Sequence, residues 1–209
     1  MTMQNGDRTL RSLNRFLDVV FALAFFRTID FLPMAQGTQL STLPYGVLSL
    51  IASSPANITR VAFCLIVIVY YWSRKNTLLA VLQTANGVFA LLSVASVAAL
   101  FVFLYALAVD PTYVGGWPTL LLQSGSLLVA SLLGYLALRY AIRVGLVPNS
   151  LTTSAQRLAR IDLSNPLTAL IATALSWSGL TIWTLSWFVF MPLLGFLLGK
   201  SANKPAHTI

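Results

Sequence analysis

Glutamate is absent from this 209-residue chain, and cysteine and histidine occur once each. Cys64 on its own cannot close an intramolecular disulfide, and a thiolate metal site needs several such ligands. His207 stands in the polar carboxyl-terminal tail, a solvated position that excludes histidine-dependent chemistry within the apolar runs. Charge is scarce as well: 9% of residues are charged, against about a quarter in an average soluble domain. So few charges cannot cover a water-exposed surface.

What is present is apolar and continuous. Hydrophobic residues make up 57% of the chain and fall in long runs. About 20 apolar residues cross the hydrocarbon core as a helix, whereas a barrel strand would alternate apolar and polar positions. The composition therefore predicts an all-α integral membrane protein. Its 13 basic and 5 acidic residues leave a net charge of +8. The basic residues are spread along short loops, the positive-inside pattern that orients membrane helices, so no nucleic-acid surface is expected. The amino end is polar and basic with no small-residue cleavage site after the first apolar run, so no cleavable leader is expected.

Six spans are predicted, at about 16–34, 55–73, 78–109, 117–146, 166–178 and 180–198, forming one bundle with both termini cytoplasmic. The piece Leu43–Ala52 is too short to cross and is assigned to the outer surface or the side of the bundle. Ser54-Pro55 and Asn165-Pro166 read as caps followed by proline in the first helical turn. Arg74 and Lys75 mark an inner turn, and Pro148 to Ser164 is the one substantial polar connection. Ser178-Gly179 is the expected break in the final apolar stretch. This topology places Arg8, Arg11, Arg15, Arg74, Lys75, Arg139, Arg143, Arg157, Arg160, Lys200 and Lys204 on one side, 11 of the 13 basic residues. Arg27 and Arg60 fall within spans.

The first span carries Asp18, Arg27 and Asp30, and each charge in a membrane helix costs at least about 2.5–3.5 kcal/mol. Leu23, Arg27 and Asp30 follow a 4–3 spacing and share one face, which Phe16, Val20 and Met34 extend. Asp18 precedes Arg27 by nine residues and points to the opposite side. Arg27 and Asp30 fit either a local ion pair buried between helices or the lining of a hydrated pathway, and Arg60 is a rival partner for Asp30. Asp18 is expected to accept hydrogen bonds from a neighbouring helix or from Arg11 or Arg15. Gln83, Thr84, Asn86 and Ser93 are expected to bond between helices, and Tyr70, Tyr71 and Trp72 to anchor an interface. There is no pair of carboxylates at useful spacing, no Ser/His/Asp set, no phosphate loop and no ligand cluster. No enzyme, metal or cofactor is expected.

The stretch from Arg15 to Ala24 resembles the first helix of the lysosomal-type potassium channel family, transmembrane protein 175, and its bacterial relatives. That signature is Arg-x-x-x-Phe-Ser-Asp followed by a run containing Val-Phe-Ala. Phe16, Asp18, Val20, Phe21 and Ala22 match it; Leu17 replaces the serine, and Ser12 stands at the arginine position with Arg11 and Arg15 beside it. Tyr71-Trp72, a basic turn and Leu78-Leu79 resemble the end of the family's second helix, with Lys75 where histidine is usual. The resemblance implies a six-helix subunit assembling as a homotetramer, with the first helix lining a potassium pore. It places the constrictions at Leu23, Arg27 and Asp30, and Asp18 in a network at the inner end with Phe16, Arg11 and Arg15 nearby.

A ring of Arg27 side chains would repel potassium unless Asp30 in the next turn neutralised it. A closed, weakly conducting or anion-permeable variant stays open. The expected function is thus a passive ion channel of the cell membrane, passing potassium or other monovalent ions among membrane lipids. The alternatives are a non-conducting scaffold in which Arg27 and Asp30 lock helices together, and a small secondary transporter, disfavoured because no internal repeat is visible.

Overall fold

The computed structural model describes residues 2–28, 55–109 and 116–202. Among them every regular element is helical and no strand occurs. The helices are α1 (Thr2–Arg27), α2 (Pro55–Ala80), α3 (Gly87–Val109), α4 (Trp117–Arg143), α5 (Thr152–Asp162), α6 (Ser164–Ala174) and α7 (Leu180–Ala202). Single 3₁₀ turns lie at Asn149–Leu151 and Ser176–Ser178. Three stretches, Gly87–Leu107, Trp117–Arg143 and Thr181–Lys200, are long and apolar enough to cross a membrane. The chain divides into two compact units, one of Asn14–Thr77 and the other of Met1–Leu13 with Leu78–Ile209.

In the larger unit, α3 and α4 pack together as an antiparallel pair. Ser93, Ser96, Leu100, Phe103 and Leu107 are buried along α3 at spacings of three and four, so one helix face supplies the contact. The opposing face of α4 offers Ala130, Gly134, Ala137 and Ala141, small residues that let two backbones approach closely where no hydrophobic effect separates helix from lipid. Ser96 Oγ donates to the Ala130 carbonyl at 2.7 Å, and Asn86 Nδ2 donates to Tyr140 Oη at 2.9 Å. These two bonds set the antiparallel register.

Asn86 has a second task. Its Oδ1 accepts from the Phe89 N–H at 3.0 Å, which caps the start of α3. Asn86→Ala removes both bonds and is expected to destabilise the protein by about 1–3 kcal/mol. Asn86→Asp keeps the cap, loses the donor to Tyr140 and should fall between the two in a detergent melting experiment.

The turn between α2 and α3 differs from expectation. Arg74 and Lys75 lie inside α2, which continues to Ala80, and the turn occupies residues 81–86. Basic residues do not break a helix, and this one continues past them. The turn is fastened by backbone bonds, Gln83 N–H to the Leu146 carbonyl at 3.0 Å and Ala85 N–H to the Gly6 carbonyl at 3.2 Å. Gly6 is required there, since a Cβ would fall 2.9 Å from Thr84 Cβ.

The later boundaries also shift. α4 ends at Arg143 rather than near Leu146, because Gly145 takes a φ of 74° and Leu146 N–H turns back to the Ala141 carbonyl at 2.9 Å. The Pro148–Ser164 connection contains the amphipathic helix α5. α6 follows it after Leu163 alone and begins at Ser164, so Asn165 is no cap; its Nδ2 donates to the Asp162 carbonyl at 3.4 Å. α6 has 11 residues, a rise of about 16 Å, roughly half a hydrocarbon core. The break before α7 lies at Ser176–Gly179, where Gly179 has a φ of 95°. The Leu43–Ala52 piece, Ser54 and the tail from residue 203 lie outside the described residues.

Candidate functional site

α1 has two unlike faces within the unit that begins at Asn14. Leu17, Phe21, Ala24 and Thr28 recur every three or four residues and are buried. Phe16, Leu23 and Arg27 lie exposed, with Leu23 at 58%, and Val20 is half-buried between them. Helical periodicity thus brings Phe16, Val20, Leu23 and Arg27 onto one surface that the described residues leave largely uncovered, as they also leave Val19, Phe25 and Phe26. Asp30 and Met34, which the same spacing adds to this surface, lie outside the described residues, and so does the side chain of Arg60.

Asp18 stands apart from that surface. Its Oδ1 accepts from the Trp72 Nε1–H at 3.1 Å, joining α1 to α2. Arg11 pairs instead with Asp7 one turn away, both side chains exposed, an arrangement worth only a few tenths of a kcal/mol in solvent. Arg15 is exposed. On α2, Arg74 Nη1 donates to Tyr70 Oη at 2.6 Å, with its guanidinium carbon 5.4 Å from the ring centroid. Tyr70 and Tyr71 meet edge to face at 5.7 Å.

Lys75 is the buried charge that the sequence reading missed. It is 5% exposed, and its Nζ has no hydrogen-bond partner among the described residues. Burial, with the Arg74 charge adding to it, lowers its pKa from 10.5 to about 8. The signal was in the spacing: Cys64, Ile68, Lys75 and Leu79 lie on one α2 stripe, each of them buried. Reading Arg74-Lys75 as a turn hid that stripe.

Elsewhere Gln123 is fully buried in α4, and neither amide atom finds a partner among the described residues. Ser93 Oγ is likewise unpartnered. No group of three metal-ligating side chains comes together among the described residues.

No family model, curated protein or solved structure matches this chain. An exposed apolar strip ending in a guanidinium, beside a buried stripe about 100° around the same helix, can meet another polypeptide or water.

Proposed function

We propose that the chain is one subunit of an oligomeric, passive ion channel, with the Phe16–Val20–Leu23–Arg27 surface of α1 turned toward a shared axis. The observation that supports this is the exposure of Leu23 and Arg27 beside a buried Leu17–Phe21–Ala24 stripe. Other copies of the chain would complete the pore wall, with Asp30 one turn beyond Arg27 offsetting its charge. Selectivity then follows from pore radius and the charges facing it. The match of Phe16, Asp18, Val20, Phe21 and Ala22 to the potassium channel signature adds the ion, potassium, and the assembly, a homotetramer.

The proposed topology has six passes in the cell membrane and both termini in the cytoplasm. The one-sided distribution of basic residues supports it. α6 with its Ser176–Ser178 turn would make a short fifth pass, accommodated by local thinning of the bilayer.

The test is ion flux from liposomes holding the purified protein, under potassium and under chloride gradients. Potassium flux above that of empty liposomes is the expected result. No flux of either ion in correctly assembled protein would leave the scaffold reading, in which Arg27 and Asp30 only lock helices.

A further inference from the structure

α4 carries a second exposed strip, on a helix long and apolar enough to cross a membrane. Val129, Leu132 and Leu136 are each more than two-fifths exposed, and the same 3–4 spacing continues to Arg139 and Arg143, both exposed. An apolar track therefore ends on two guanidiniums one turn apart. From Val129 to Arg139 the helix rises about 15 Å, half the roughly 30 Å hydrocarbon core. That is the depth of one leaflet.

At its far end the track enters a groove of about 480 Å³ between α3 and α4. Val129 and Gly125 form part of one wall, and Ala99 and Val102 part of the other. Gly125 keeps the groove open, since a Cβ built there meets nothing within 4 Å. Beyond the charged end, α5 exposes Arg157 and Arg160, whereas its one carboxylate, on Asp162, is buried.

We propose that this surface binds an anionic phospholipid, its phosphate on Arg139 and Arg143 and one acyl chain along Leu136, Leu132 and Val129 into the Gly125 groove. The charge, the length and the groove all argue for that one occupant. Guanidiniums form charge-assisted, often bidentate bonds to phosphate oxygens. Each basic side chain near an anionic leaflet adds appreciable attraction. A free phosphate ion would use the arginines and leave the apolar track and groove empty. Arg157 and Arg160 extend the positive field along the same leaflet. The proposal does not depend on whether the assembly conducts ions.

The experiment is native mass spectrometry of the full-length protein exchanged into mixed micelles of phosphatidylglycerol and phosphatidylcholine. Wild-type protein should retain phosphatidylglycerol preferentially, and Arg139→Gln with Arg143→Gln should weaken that retention on the order of tenfold or more. Gly125→Leu, a substitution that suits a helix, should reduce retention of both lipids with the melting temperature kept. Equal retention of the two lipids by wild-type protein overturns the proposal, a result that needs no variant to fold. So does unchanged retention in either variant, or displacement of the lipid by millimolar inorganic phosphate, which would mark a simple phosphate site.

Discussion

Lys75→Met should raise the unfolding midpoint at pH 7 by roughly 10 °C, and the gain should vanish toward pH 10.5. Lys75 lies beyond Ser73, the end of the expected second span, on a helix that continues to Ala80. Its side chain is buried with no hydrogen-bond partner among the described residues, and its pKa falls to about 8. Below pH 8 the lysine is charged in both folded and unfolded chains, and the folded state bears the whole desolvation penalty. Between about 8 and 10.5 the unfolded chain still holds the proton that the folded chain has released, so stability rises with pH. Above 10.5 both are neutral and the penalty is gone.

The separation between the two pKa values corresponds to about 3 kcal/mol. Methionine fills similar space without the charge. Lys75→Arg makes the opposite case, because arginine stays protonated and should show no recovery at alkaline pH. Detergent melting of the three proteins from pH 7 to 10.5 reads all of this. A wild-type midpoint that does not rise relative to Lys75→Met over that range would place the ammonium in water.

If the proposed channel holds, Arg27→Gln should raise the ratio of potassium to chloride flux on the order of tenfold, and Asp30→Asn should lower it by a similar factor. A unit charge about 4 Å from a permeating ion contributes about 1 kcal/mol in bulk water and about 4 kcal/mol near a protein surface. Removing the guanidinium leaves the carboxylate to attract cations, and removing the carboxylate leaves the guanidinium to repel them. The opposite signs matter, because general damage to folding would lower both fluxes together. Exchanging the two charges, Arg27→Asp with Asp30→Arg, separates the readings further. A scaffold keeps its fold and conducts nothing, whereas a channel keeps its fold and changes ion preference.

Much of the helical pattern was legible because it follows from composition and period alone. The apolar runs that became α3, α4 and α7 are long enough to cross a bilayer. Gly179 before the last of them marks a break, since its positive φ suits glycine. Leu23 and Arg27 fall on one face by arithmetic at about 100° per residue, and the described residues leave that face exposed. The boundaries were harder. Charge at Arg74-Lys75 and polarity at Pro148–Ser164 signal where the chain meets water, and both segments nonetheless form helix. A helix ends where its backbone bonds find other partners, as they do around Gly145 and at residues 81–86.

The sequence by itself determined the class: so few charges, set mostly around the ends of long apolar runs, point to apolar helices in lipid. It also determined which residues share a face, since helical periodicity is local. Tertiary structure alone decided which faces are covered, and periodicity is silent on that because covering a face takes a distant segment. Packing put Leu17 and Phe21 inside and Leu23 outside, turned the Asp18 carboxylate to the Trp72 indole, and buried the Lys75 ammonium in place of a turn.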